Sequence, residues 1–161
     1  MTAWTEHLAR VGATLDDTAR SIAFAAPADE ARATETSTIA TPLLHLGTIR
    51  AQGPDSAAFL HNLVSNDVKH MEADTAAWNS FNSPKGRMIA SFLVWPEEGG
   101  HVLALSADIL PAFLKKFSMY VLRSKVKLAD ASADTALIGL AGPQAAAIAQ
   151  AAGATLPAED M

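Results

Sequence analysis

The sequence predicts an α+β fold: an antiparallel meander sheet with packed helices, in the order βαβββαββα from about residue 38 onward. Three observations carry that expectation. Apolar runs of strand length alternate with segments of helical period. The runs between residues 76 and 105 are joined by short turns that suit antiparallel neighbours. Residues 109–121 then show the apolar period of an amphipathic helix. With 161 residues, half of them hydrophobic, the chain is also long enough to bury a sizeable core.

The elements follow in order. Trp4, Leu8, Val11 and Leu15 fall at steps of four, three and four, so residues 1–20 are expected to hold a short amphipathic helix. Residues 25–38 are rich in Ala, Thr and acids and read as a mobile surface connection. The chain is thus expected to divide into 1–37, an amino-terminal helix with its connection, and 38–161, the packed domain. Leu44 to Gln52 reads as a strand ended by Gly53-Pro54, after which Asp55 stands where a helix N-cap belongs. The helix it opens, from Ser56 to about Val64, would bury Phe59, Leu60, Leu63 and Val64 and end at the Ser65-Asn66-Asp67 turn.

Ala76 to Phe81 and Arg87 to Trp95 are apolar runs separated by Asn82-Ser83-Pro84-Lys85-Gly86, which predicts an antiparallel hairpin. His101 to Leu105, after Glu98-Gly99-Gly100, makes the third strand of the meander. Ile109, Leu110, Phe113, Phe117, Tyr120 and Val121 share one helical face, with Lys115, Lys116 and Ser118 turned away. Lys125 to Leu128 and Leu137 to Ala141 read as two further strands, and Gly142-Pro143 opens an Ala-rich last helix that ends near Gly153.

Composition narrows the chemistry. The absence of cysteine removes disulfides, thiolate ligation of iron or zinc and cysteine nucleophiles from these residues. A net charge of -5 argues against direct nucleic-acid binding. Residues 1–40 carry six acids and the start lacks an apolar leader core, so neither a secretory signal nor a transit peptide is expected. No apolar run approaches the ~20 residues of a membrane span, and the expected location is cytoplasmic. The five histidines, at 7, 45, 61, 70 and 101, show no metal-ligand spacing, and the signatures of acyl transfer, phosphoryl transfer and dinucleotide binding are missing.

Two basic groups stand out. Ser83-Pro84-Lys85-Gly86-Arg87-Met88 sets two cations and a permissive glycine on one tight turn, which either holds an anion or is an exposed hairpin tip. Lys115, Lys116, Arg123, Lys125 and Lys127 form the second. From residue 85 to 127 seven cations face three acids, a net +4 in an acidic chain, which either steers an anionic ligand or solvates a helix face and an edge strand. Asn66-Asp67 reads as a turn more than an acid-base pair. Trp78 and Trp95 read as core or platform residues before ligand-stacking ones.

Several of these residues occur together in one order: Leu46-Gly47-x-Ile49-Arg50-x-x-Gly53-x-Asp55-x-x-x-Phe59-Leu60, Ser65-Asn66-Asp67-Val68, Ser83-Pro84-Lys85-Gly86-Arg87-Met88, Tyr120-Val121-Leu122-Arg123-Ser124-Lys125-Val126 and Ile138-Gly139-Leu140-Ala141-Gly142-Pro143. That succession, across about residues 40–145, resembles the amino-terminal half of YgfZ-type proteins, relatives of the glycine-cleavage T-protein. The resemblance implies the amino-terminal part of a T-protein-like fold, a three-domain ring around a folate pocket. It further implies a tetrahydrofolate or derivative as ligand, and iron-sulfur proteins as clients, whose assembly or repair supports tRNA modification. Lys85, Gly86 and Arg87 then become pocket-rim candidates, and Arg123 and Lys125 secondary ones.

The chain departs from the family pattern in three places. The family's Lys-Gly-Cys-Tyr-x-Gly-Gln-Glu segment belongs to a carboxy-terminal half that is missing here, so the chain is expected to be truncated. The tryptophan that some members place early in the first core strand is replaced by His45-Leu46-Gly47. The T-protein has an aspartate just after its Gly-Gly turn, where this chain continues Arg87-Met88-Ile89-Ala90-Ser91. An accessory folate-binding role is therefore expected ahead of aminomethyl transfer, with an interaction domain lacking a small ligand as the remaining alternative.

Overall fold

The structure is a computed structural model and describes residues 3–18 and 20–156. In chain order the elements are α1 (Ala3–Arg10), β1 (Thr14–Leu15), β2 (Ile22–Ala23), α2 (Pro27–Thr36), β3 (Ile39–Pro42), β4 (Leu46–Gln52), α3 (Ser56–His61), β5 (Ala77–Asn82), β6 (Met88–Glu97), β7 (Gly100–Ser106), α4 (Leu110–Ser118), β8 (Lys127–Asp130), β9 (Ile138–Ala141) and α5 (Ala145–Ala151). From β4 onward this is the order read from the sequence. The chain forms two compact units, one of Leu46–Thr135 and one of the segment up to His45 with the segment from Ala136 onward.

The unit Leu46–Thr135 is built on a five-stranded antiparallel sheet in the order β5-β6-β7-β4-β8. β7 is central and keeps a seven-pair register with β4, from Leu46 opposite Ser106 to Gln52 opposite Gly100. Period-two patterning decides which side chains enter the core. Asn79 and Phe81 of β5 and Ala90, Phe92 and Val94 of β6 turn inward, while Trp78 turns out. On the inner face α3 and α4 supply Phe59, Leu60, Phe113 and Phe117. Phe117 is fully buried, and its ring lies 4.9–5.2 Å from those of Phe59, Phe81 and Phe113. Such aromatic contacts add to the area they bury.

In the other unit, β1 pairs with β2 and β3 pairs with β9, both antiparallel. Leu43 donates its N–H to the Leu137 carbonyl, which extends the second pairing by one step. Thr38 Oγ1 accepts the N–H of Gln144, the residue that precedes α5.

Local readings differ from the structure where a single residue overrides the pattern. The first helix stops at Arg10, because Gly12 takes a φ of +97 and the chain turns into β1; Leu15 becomes a strand residue and Val11 is exposed. Residues 27–36, read as part of a connection, form α2. Pro27 opens it, and Glu30 of its first turn accepts the N–H groups of Phe24 and Ala25. The strand expected from Leu44 begins at Leu46, and α3 closes at His61 rather than Val64. Asp55 makes no side-chain cap on α3; its Oδ2 accepts the N–H of Lys125 instead, at 2.6 Å.

Candidate functional site

Between β5 and β6 the chain turns through Ser83–Arg87. Ser83 donates its N–H to the Arg87 carbonyl at 2.8 Å, Gly86 donates to the Ser83 carbonyl at 2.9 Å, and Arg87 donates to Ser83 Oγ at 3.1 Å. These three bonds fix a closed loop whose glycine has a φ of +74. Lys85, Gly86 and Arg87 are exposed, and no ion pair engages either cation among the described residues. The turn therefore presents two free cations on a backbone already ordered, which spares an anion the entropy of organising it. A register shift between Phe81 and Asn82 marks a bulge just before the turn.

Trp78 stands on the same hairpin and is 62% exposed, on the sheet face away from α4. It is a platform residue and not a core one. Leu93 lies opposite it across the ladder, and Trp95 of β6 is half-buried on that same face. Residues 88–91, which follow the turn, are Met, Ile, Ala and Ser. That stretch of β6 has no carboxylate and no imidazole, so nothing there can exchange a proton with a bound amine.

Arg123 and Lys125 belong elsewhere on the unit. The 83–87 turn lies at the end of the sheet where β4 begins, whereas Arg123 and Lys125 lead into β8 at the end where β4 finishes beside Gly100 and Lys127. β4 alone, at seven residues, spans roughly 20 Å. The structure thus brings Lys85, Gly86 and Arg87 together, and Arg123 with Lys125, but sets the two groups apart. Arg123 lines an open depression of about 720 Å³ with Asp55, Tyr120, Leu122 and Ser124.

A third polar cluster surrounds Asp67. Its carboxylate faces His70 Nδ1 at 2.7 Å and His61 Nδ1 at 3.1 Å, and accepts the N–H groups of Lys69 and His70 at 2.9 and 3.1 Å. The bond to the His70 ring, with those amides, holds the Asp67 carboxyl at about 2. Asn66 donates from Nδ2 to the Trp78 carbonyl and from its main-chain N–H to Asn79 Oδ1 at 2.8 Å. The Asn66-Asp67 segment is thus a turn stitched to β5, as its residue types indicate. No group of three or more metal-type side chains suited to an ion occurs among the described residues. None of their helices is long and apolar enough to cross a membrane.

A buried serine and histidine were not singled out by the sequence, which offers no spacing signal for them. Ser56 Oγ donates to the Ala51 carbonyl at 2.7 Å and lies 2.9 Å from His101 Nδ1. The hydroxyl proton is committed to Ala51, so His101 donates from Nδ1 and Ser56 accepts. Ser56 is 1% exposed, and the pair ties β7 to the start of α3; it is not a nucleophile.

Comparison with known proteins gives the family and the fold. A family model described as the GCVT N-terminal domain matches residues 4–161, and so takes in the amino-terminal helix as well as the segment from 38 onward. An iron-sulfur cluster assembly factor IBA57 homolog from Mycosarcoma maydis is 35% identical over 56% of this chain and 26% of its own length. An aminomethyltransferase from Shouchella clausii is 29% identical over 66% of this chain and 29% of its length. The tRNA-modifying protein YgfZ of Vibrio vulnificus is 28% identical over 63% of this chain and 31% of its length. In fold, the chain is similar to the glycine cleavage system aminomethyltransferase T from Bartonella henselae, with a TM-score of 0.71, 19% identity and coverage of 97% of this chain and 44% of that one. The chain spans less than a third of each of these three curated relatives.

Proposed function

We propose a function on the premise that this chain belongs to the GCVT N-terminal domain family: it is part of a folate-binding accessory protein that supports iron-sulfur cluster assembly or repair, and through it tRNA modification. The observation that carries this reading is the residue set on and after the 83–87 turn. Two free cations and an exposed indole on the same hairpin suit a folate, whose glutamate tail is anionic and whose pteridine is flat and aromatic. The four residues beyond them are without acid-base groups, which favours carriage over aminomethyl transfer. Relatives named for iron-sulfur cluster assembly and tRNA modification support the same choice.

In this reading Lys85, Gly86 and Arg87 form the rim that receives the tail, and Trp78 is a stacking surface for the ring. Tetrahydrofolate, when bound, would supply the one-carbon or redox chemistry; the chain's own residues bind and orient it. Arg123 and Lys125 are outer candidates only, a sheet's length from the turn. Iron-sulfur proteins are the proposed clients, and the cytoplasm is the proposed location.

Two measurements on the same preparation test the reading. Equilibrium dialysis against tetrahydrofolate should give saturable binding with quenching of tryptophan emission. An assay with aminomethylated carrier protein and tetrahydrofolate should give no product above the uncatalysed rate. Absence of binding sinks the folate assignment, and turnover sinks the accessory one.

A further inference from the structure

Leu122 is the one residue other than glycine with a positive φ among the described residues, at +43; the six others, 12, 53, 86, 99, 142 and 153, are all glycines. A non-glycine residue in this region carries steric strain between its Cβ and the backbone, and Asn or Gly would hold the turn at less cost. Burial normally offsets such a cost. Leu122 is instead 87% exposed, and its neighbours Met119 and Tyr120 are exposed at 65% and 38%. Strain retained at a residue that gains nothing within the fold marks a position kept for something outside it.

The surroundings define the chemistry. Leu122 shares the wall of the 720 Å³ depression with Tyr120, Ser124, Arg123 and Asp55. Asp55, the one acid in that lining, already accepts the Lys125 N–H. Lys115 and Lys116 close α4 just before this loop, and Arg123, Lys125 and Lys127 follow it. None of these five cations forms an ion pair among the described residues. The result is an apolar knob beside a concavity that holds Arg123 and Asp55, in a stretch of chain where cations outnumber acids.

We propose that the loop 119–125 is a docking site for an acidic polypeptide segment that places an apolar side chain in the depression against Leu122 and Tyr120. Charge complementarity selects an acidic partner and sets its approach. The concavity selects a polypeptide over a lipid surface, because projecting side chains of a segment can enter it and the face of a bilayer does not. The proposal is independent of folate binding; its depression reaches from Asp55, which bonds to Lys125, to Tyr120, whose ring lies 5.4 Å from that of Phe81.

The test uses the whole chain and fluorescence anisotropy of a labelled peptide of alternating Glu and Leu. Saturable binding is expected, at least tenfold weaker for the Gln-Leu counterpart and for polyglutamate without leucine. Leu122→Asn preserves the left-handed backbone while removing the apolar contact, and Arg123→Glu with Lys125→Glu reverses the charge; each should weaken binding at least tenfold with an unchanged circular dichroism spectrum. Unaltered affinity in Leu122→Asn, or equal binding of the Glu-Leu and Gln-Leu peptides, overturns the proposal. Equal binding to polyglutamate and to vesicles of phosphatidylglycerol and phosphatidylcholine does so as well, since it would reveal a general polyanion surface.

Discussion

At Gly53 the chain passes so close to Lys125 that a side chain has no room: a Cβ there would collide with the Lys125 carbonyl oxygen, and φ is +133. Gly53→Ala should therefore destabilise by about 2–4 kcal/mol in urea unfolding, from combined clash and strain; a change below about 0.5 kcal/mol would show that the contact is not maintained. The sequence announced a strand ending at Gly53-Pro54, but not the reason for the glycine, which lies seventy-two residues downstream. Asp55 tells the same story, read as a cap from its position and found bonding to Lys125 across the fold. His101 supplies a pH dependence. Loss of solvation holds its imidazole below the ordinary 6.5, so the unfolded chain binds that proton more readily. Stability is fully present above the unfolded value and falls as pH drops below it, at most about 1.4 kcal/mol per pH unit. Urea midpoints measured from pH 7.5 to 5.5 should decline, and His101→Asn, which keeps a donor for Ser56, should flatten the decline; equal slopes would exclude His101 as its source.

At the scale of elements, α4 was legible because its apolar residues at 110, 113 and 117 serve one interface, and the same three are buried in the structure. The hairpin β5-β6 was legible because Pro and Gly punctuate it. By contrast, Val11 and Leu15 continued a helical period only by coincidence of spacing, and one glycine outweighed them. The pairing of β3 with β9, about a hundred residues apart, has no local signal at all. Since α4 is anchored through ring contacts of Phe117 with Phe59, Phe81 and Phe113, Phe117→Ala should cost about 3–5 kcal/mol. The loss should appear as a lower urea midpoint. A cost under about 1 kcal/mol would mean that the helix does not depend on that aromatic cluster.

For the molecule as a whole, ordered motifs carried the family, while the arrangement of its cations did not follow from them. Read along the chain, seven positive residues between 85 and 127 look like one basic field; antiparallel topology sets Lys85 and Arg87 at one end of the sheet and Lys125 and Lys127 at the other, with Lys115 and Lys116 on α4. That separation gives the molecule two uses for positive charge, an ordered turn on the same hairpin as an exposed indole and a strained apolar loop that lines a depression. Because the first of these underlies the functional reading, the most direct measurement is the tetrahydrofolate dissociation constant of the Lys85→Ala, Arg87→Ala variant against the parent chain. Removal of two cations from an anion's contacts predicts at least a tenfold weakening, larger at low salt than at high salt. Equal constants at both salt concentrations would contradict it.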